Sequence, residues 1–132
     1  MKSKSDYITY KLKKADESLH AAQVLLDNKL YADALTKIYY AAFHAISALL
    51  IEKELNPKTH TGVKSLFHKE FIFTGIIDKS FAELFDVLLA KRFEADYEVF
   101  AFINEEKIPS QLEQTQQLIK IIKEKFQYKS ND

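Results

Sequence analysis

The strongest constraint on the fold of this chain is a run without any charged residue, YYAAFHAISALLI, at residues 39–51. Charge is frequent elsewhere, since 29% of all residues are charged. A helix that is apolar on every side is usually covered by other helices, so we predict a central helix here. The uncharged stretch from Ile38 to Ile51 is shorter than the roughly 18 to 20 residues of a membrane span.

The composition favours one intracellular domain over residues 1–132, with an ordered core at about 5–127. The chain has 132 residues, no cysteine, two glycines and two prolines, so it can bury a core without disulfides and form long helices. Its 19 basic and 19 acidic residues give a formal net charge of zero, which argues against a globally basic nucleic-acid binder. Because no apolar signal core follows Met1, we expect a cytoplasmic protein.

Apolar residues recur at helical spacing and predict a bundle of five helices. The predicted helices cover residues 4–28, 30–55, 58–71, 80 to about 99, and a segment from about 109 onwards. Pro57 ends the second helix, and a loop containing Gly75 precedes the fourth. Ser80 and Glu83 fit a capping box at the start of the fourth helix, and Pro109 suits the first turn of the fifth.

The first candidate site is Arg92 with Asp96 and Tyr97, in the string RFEADY. Arg92 and Asp96 lie one helical turn apart, and Arg92 is in phase with the buried positions Leu88 and Leu89. One interpretation is an ion pair at the edge of the core, which stabilises the fold only slightly. The other is an arginine held by an acid so that its planar donors face a phosphate.

The second candidate is a cationic stripe on the third helix, where His60, Lys64 and His68 fall at spacings of four, with Lys58 and Lys69 nearby. These side chains could share one exposed face, either as a solvated surface or as a contact for a phosphate backbone. His60 and His68 are two turns apart, roughly 12 Å along the axis, so they cannot share a metal ion. We therefore predict no metal site.

The third candidate is His44, with Tyr40 one turn before it in the apolar helix. A single histidine in such a helix is more often a hydrogen-bonded core residue than a catalyst, but it could also position a nucleotide. No glycine-rich phosphate loop is present, because the two glycines, Gly62 and Gly75, are separated.

Three strings together resemble one family: YYAAFHA at 39–45, PKTHTGV at 57–63 and RFEADY at 92–97. In this order they are similar to the HEPN domains, the "higher eukaryotes and prokaryotes nucleotide-binding" helical bundles, and to their small single-domain prokaryotic branch. The resemblance covers nearly the whole chain. It implies an all-α, up-and-down bundle of four to five helices that commonly dimerises.

Many HEPN proteins are metal-independent ribonucleases, whose motif has a histidine after the arginine with four to six residues between them. Arg92 matches the arginine, but Tyr97, Glu98 and Val99 stand where the histidine is expected. The motif is therefore incomplete, because the imidazole that serves acid–base chemistry near neutral pH is missing. A histidine elsewhere, His44 or His60, could replace it in space.

The resemblance also implies partners. HEPN proteins are often encoded beside a minimal nucleotidyltransferase, as a toxin–antitoxin pair or a two-subunit assembly, and the partner can adenylylate a tyrosine near the motif. Tyr97 is the candidate tyrosine in this chain. We therefore expect a homodimer and a nucleotidyltransferase partner, with no cofactor.

Three functions remain open from the sequence. The leading hypothesis is a HEPN-like protein that binds a nucleotide, an RNA phosphate or a nucleotidyltransferase through Arg92, Asp96 and Tyr97, together with His60 and Lys64. The second is a ribonuclease toxin with a displaced histidine. The third is an interaction module in which these polar residues only stabilise the bundle.

Overall fold

The computed structural model describes residues 2–97 and 103–126, except for the side chains of residues 95–97. The described part is all-helical, as predicted, and it contains no strand. Its five α-helices are α1 (Lys4–Asp27), α2 (Tyr31–Glu52), α3 (His60–Phe67), α4 (Lys79–Tyr97) and α5 (Ile108–Phe126). A single 3₁₀ turn, Glu105–Lys107, precedes α5.

Helix α2 lies at the centre of the bundle, which confirms the prediction from its uncharged run. It packs against α1, α3, α4 and α5, and its most extensive contact is with α1. Its alanines allow close approach, since they are fully buried at positions 34, 41, 42, 45 and 48. Helix α2 is also long and apolar enough to cross a membrane by length and composition alone, but 61% of the relevant window is buried inside the protein. That burial is typical of the core helix of a soluble protein.

A capping box fixes the start of α1. The Ser3 hydroxyl accepts a hydrogen bond from the Asp6 amide at 3.2 Å, and the Asp6 carboxylate accepts one from the Ser3 amide at 3.0 Å. The two side chains thereby satisfy amide groups that have no partner within the helix. The chain reverses after α1 at Lys29, whose φ of 60° lies in the left-handed region, and α2 then packs back along α1.

Helix α3 begins after Thr59, whose hydroxyl accepts a hydrogen bond from the Gly62 amide at 2.9 Å. It does not end at Phe67, but widens into a π-helical turn over His68–Ile72. The sequence predicted one short helix over 58–71, which agrees with the observed segment to within two residues but does not show the change of winding. The reversal that follows uses Gly75 at a φ of 78°, a conformation that glycine adopts without steric cost.

Helix α4 begins one residue earlier than predicted, at Lys79. The Asp78 carboxylate accepts a hydrogen bond from the Ser80 amide at 3.0 Å, so Asp78 caps the helix. The capping box predicted from Ser80 and Glu83 is therefore wrong, because Ser80 already lies inside the first turn. On its inner side, α4 contributes Phe85, Leu88 and Leu89 to the core that surrounds α2.

Candidate functional site

Arg92 lies near the end of α4, with its guanidinium over two tyrosine rings of α2. Its Cζ atom is 5.7 Å from the centre of the Tyr39 ring and 5.4 Å from the centre of the Tyr40 ring. Such distances allow a cation–π attraction, which holds the planar group against the aromatic surface. The phase of Arg92 with Leu88 and Leu89 correctly placed it near the buried stripe of α4.

His60 is the first residue of α3, and it packs against the same part of α2. Its ring stacks on Phe43, with the ring centres 4.6 Å apart, and its Nδ1 atom forms a hydrogen bond with the Tyr39 hydroxyl. Tyr39 in turn stacks on Phe85 of α4 at 5.6 Å. We call Arg92, Tyr39, Tyr40, Phe43 and His60 the Arg92 cluster.

The direction of the bond between Tyr39 and His60 follows from hydrogen-bond satisfaction. Tyr39 is fully buried, and burial raises the pKa of its hydroxyl above its usual range, so the hydroxyl keeps its proton. Among the described residues, the only partner of this hydroxyl is Nδ1 of His60. A buried hydroxyl hydrogen needs an acceptor, so Tyr39 donates and Nδ1 accepts. A neutral His60 ring then carries its own proton on Nε2.

The surroundings of His60 also favour its neutral form. Burial lowers its pKa, and the nearby charge of Arg92 lowers it further. The cluster therefore combines a permanent cation, Arg92, with a neutral imidazole whose Nε2–H is a donor. Both groups donate hydrogen bonds, and this combination suits an anionic ligand with acceptor oxygens, such as a phosphate.

His44 lies beside the cluster and has no acidic partner among the described residues. Its ring centre is 6.1 Å from that of Tyr40 and 5.8 Å from that of Phe43. Burial, together with the positive charges of Lys11, Lys14 and Lys37, lowers the pKa of His44 to about 4. Its Nδ1 atom is buried and makes no hydrogen bond among the described residues, so His44 is not the hydrogen-bonded core histidine that its position suggested.

The predicted cationic stripe on α3 is wrong as a shared exposed face. His60 packs into the Arg92 cluster, whereas the Nε2 atom of His68 lies 2.9 Å from a carboxylate oxygen of Asp86 on α4. Lys64, between them, is half-buried. At about 100° per residue, positions eight apart on a helix differ by roughly 80° in direction, so His60 and His68 meet different neighbours.

Two of the predicted site residues cannot be placed beside Arg92. The backbone at positions 96 and 97 closes α4, but the side chains of Asp96 and Tyr97 lie outside the described residues, as do Glu98 and Val99 entirely. The predicted ion pair between Arg92 and Asp96 therefore stays a prediction. Within residues 2–97 and 103–126, no group of three or more histidine, cysteine, aspartate or glutamate side chains could hold a metal ion.

The sequence pattern does not mark Tyr39 and Phe43 as site residues. Both lie in the uncharged run of α2, where hydrophobic spacing assigns aromatic residues to the core. Nothing in that spacing shows that the Tyr39 hydroxyl meets His60, 21 residues away. The only available signal was the pair of adjacent tyrosines, since a buried tyrosine hydroxyl usually has a polar partner.

Comparison with known proteins gives one family and several relatives. A family model described as "HEPN domain" matches residues 8–125. A "UPF0332 protein" of Thermotoga maritima is 34% identical to this chain over 108 residues, which are 82% of each protein.

Two further relatives come from Methanocaldococcus jannaschii, and each carries the name "Putative toxin". They are 43% identical over 83 residues and 38% identical over 96 residues, or 63% and 73% of this chain. The matches cover 62% and 65% of the relatives' own lengths, so this chain spans less than two thirds of either.

Proposed function

This chain belongs to the HEPN domain family, and from that premise we propose that it is a toxin-like protein that binds an RNA phosphate at the Arg92 cluster. The names of the two Methanocaldococcus jannaschii relatives support the toxin-like role. The observation that carries the binding site is the hydrogen bond from Tyr39 to Nδ1 of His60, close to the Arg92 guanidinium.

The chemistry of the cluster favours binding over cleavage. A general base at neutral pH needs a free lone pair on the imidazole. In His60, Nδ1 already accepts a hydrogen bond from the Tyr39 hydroxyl, and the neutral ring carries its proton on Nε2. His60 can therefore donate to a phosphate oxygen beside Arg92, but it cannot take a proton from a ribose hydroxyl without first exchanging its tautomer.

The rival function is a metal-independent ribonuclease in which His60 replaces the missing histidine. One observation favours it: Tyr39 contacts both groups, since its ring lies under Arg92 and its hydroxyl bonds to His60. In this rival, Arg92 stabilises the charge that develops on the phosphate, and His60 transfers the proton.

One experiment separates the two functions. Purified protein is mixed with fluorescent single-stranded RNA in the presence of a chelator, and binding and cleavage are measured in the same samples. We expect binding without cleavage. We expect Arg92→Ala to weaken binding about 10- to 100-fold, the range of a lost charged hydrogen bond. Lys91→Ala is the matched control, because it removes a cation from the neighbouring position of α4, where Lys91 pairs with Glu94.

Two results would contradict the binding proposal. Chelator-resistant cleavage that is lost in both Arg92→Ala and His60→Gln would establish the ribonuclease. Equal RNA affinity in the wild type, Arg92→Ala and Lys91→Ala would show that the Arg92 cluster does not bind nucleic acid. Melting curves of each variant show whether a lost signal comes from lost folding.

The homodimer and the nucleotidyltransferase partner stay predictions, and family membership is what supports them. Light scattering of the purified protein measures the oligomeric state directly. Co-expression with the product of a neighbouring nucleotidyltransferase gene, where one exists, tests the second partner. Mass spectrometry after co-expression shows whether Tyr97 gains an adenylyl group.

A further inference from the structure

Helix α2 is buried on all sides but one. Over residues 38–50, only Tyr40, Phe43, His44 and Ser47 are partly accessible, and Ile51 continues the series. Their spacings of three and four place them on one face of the helix. The central helix therefore exposes a single stripe, which begins at the Arg92 cluster and runs toward the end of α2.

Two cavities lie along this stripe and meet each other. The smaller, of about 110 Å³, is lined by Phe43, Ser47, Lys11 and Asn56, among others. The larger, of about 570 Å³, shares Lys11 and Asn56 with it and extends to Tyr7. Phe43 also stacks on His60. The Arg92 cluster and the two cavities are thus continuous, and we call the two cavities together the α1–α2 groove.

Lys11 is the charged group that both cavities share, and its situation is unusual. Burial between α1 and α2 lowers the pKa of its amine. Its neighbours Lys4 and Lys14 are paired with Glu52 and Glu17, whereas no described carboxylate pairs with Lys11. A partly desolvated cation without a counter-charge is costly, and an anionic ligand in the groove would offset that cost.

Aromatic surface accompanies this charge. Tyr7 lines the larger cavity and is 52% exposed. Tyr10, three residues further along α1, is 53% exposed, and the Lys14 amine lies 5.6 Å from the centre of its ring. Alternating cations and exposed aromatic faces are typical of surfaces that bind single-stranded nucleic acid, because the amines contact phosphates and the rings stack on bases. Lys4 and Glu54 also line the larger cavity, whereas Lys11 is the one charged residue in the described lining of the smaller cavity. The smaller cavity is therefore the cationic part of the groove.

We propose that the α1–α2 groove binds the single-stranded RNA that flanks the phosphate at the Arg92 cluster, with Lys11 contacting a neighbouring phosphate and Tyr7 stacking on a base. This inference rests on the proposed function, because the phosphate bound at the Arg92 cluster determines where the rest of the RNA strand runs. The contact with the groove is separate and can be tested by itself. An acidic protein segment could also meet Lys11, but it would gain little from the exposed ring of Tyr7, and we therefore favour RNA.

The test compares ligands of different length. A nucleoside monophosphate reaches only the Arg92 cluster, whereas a single-stranded RNA of eight nucleotides reaches the groove as well. We expect Lys11→Gln and Tyr7→Leu each to weaken octamer binding about 5- to 30-fold, within the range of one stacking or phosphate contact. Neither should change the affinity for the monophosphate. Lys11→Gln should also reduce the salt dependence of octamer binding by about 0.7 in slope.

Lys13→Gln is the matched control for Lys11→Gln, because it removes an exposed amine from the same helix, outside both cavities. Equal octamer affinity in Lys11→Gln and the wild type would overturn the groove proposal. An equal loss in Lys11→Gln and Lys13→Gln would also overturn it, because it would show only general electrostatic attraction. So would tighter binding of a poly-glutamate peptide than of the octamer, with the same dependence on Lys11.

The failure of this proposal is distinguishable from the failure of the proposed function. If Arg92→Ala leaves octamer binding intact while Lys11→Gln weakens it, the groove binds RNA and the Arg92 cluster does not. If Arg92→Ala weakens both ligands and Lys11→Gln weakens neither, the cluster stands and the groove fails. Thermal melting of Lys11→Gln and of Tyr7→Leu confirms that each variant is folded before its affinity is interpreted.

Discussion

The two histidines of the α3 segment have opposite surroundings. His60 packs on Phe43, accepts a hydrogen bond from the Tyr39 hydroxyl and lies near the Arg92 cation. His68, eight residues later, faces the Asp86 carboxylate at 2.9 Å. The surroundings of His60 favour a neutral ring that can donate a hydrogen bond to an anion. His68, in contrast, lies beside the Asp86 carboxylate, which already serves as its acceptor. Equal spacing along a helix therefore does not give two histidines the same chemistry.

The largest expected effect concerns the ring that supports the His60 site. Phe85 is fully buried, stacks on Tyr39 and meets Phe67 edge-on at 6.1 Å. Phe85→Ala should lower the free energy of unfolding by about 3–5 kcal/mol, because it leaves a cavity in the core. Urea denaturation measures this change. Phe73→Ala is the control beside His68, since Phe73 is 79% exposed, and a comparable loss there would contradict the contrast.

Removing the hydroxyl of Tyr39 should have a moderate effect. Tyr39→Phe keeps the ring but deprives Nδ1 of His60 of its donor, and we expect a loss of about 0.5–1.5 kcal/mol in the free energy of unfolding. Nitrogen NMR of the His60 ring should show a change of tautomer. Tyr31→Phe, on the same helix, removes a hydroxyl without a described partner; an equal loss in both variants would mean that the bond to His60 stabilises nothing.

The pair of His68 and Asp86 should contribute less. Both side chains are partly exposed, at 22% and 32%, so solvent screens their attraction. A double-mutant cycle with His68→Ala and Asp86→Asn should give a coupling energy of about 0.2–1 kcal/mol. A coupling well above this range would show that the second histidine site, and not the first, is the stronger constraint on the position of α3.

The smallest effect is a shift in titration. Because burial and Arg92 lower the pKa of His60, the folded state binds its proton less readily than the unfolded chain, whose value is near 6.5. The stability from this group is therefore fully present above pH 6.5 and is lost as the pH falls below it. Proton NMR should show His60 titrating below 6.5. Arg92→Gln should raise the pKa of His60. An unchanged pKa would show that the charge of Arg92 does not act on His60.

Much of the fold follows from the sequence, because helices leave strong periodic signals. The uncharged run predicted the central position of α2, and the predicted helix bounds that fall on described residues agree with the structure to within about a turn. The predicted end of the fourth helix, near Val99, lies outside the described residues. The exceptions are local. Asp78 competes successfully with Ser80 for the cap of α4, and the π-helical turn at His68–Ile72 has no counterpart in hydrophobic spacing.

Less of the candidate site follows from the sequence, because it depends on contacts between distant segments. Spacing placed Arg92 near the core, and the family resemblance drew attention to the string containing His60. Neither the spacing nor the resemblance shows that His60 contacts Tyr39 while His68 contacts Asp86. Both contacts depend on how α3 is rotated against α2 and α4. Lys11 lies between the apolar positions of α1, so hydrophobic spacing does not mark it, and only the packing of α2 against α1 half-buries it.

The bond between Tyr39 and His60 has an evolutionary consequence. Each residue supplies the hydrogen-bond partner of the other, so a change in one alone leaves a buried hydroxyl or an imidazole nitrogen without its partner. A double change, with phenylalanine at position 39 and an apolar residue at position 60, would remove both the hydroxyl and the ring nitrogen that need a hydrogen-bond partner. Among functional descendants of this sequence, the two positions should therefore vary together, and a library that randomises both should return matched pairs far more often than single replacements.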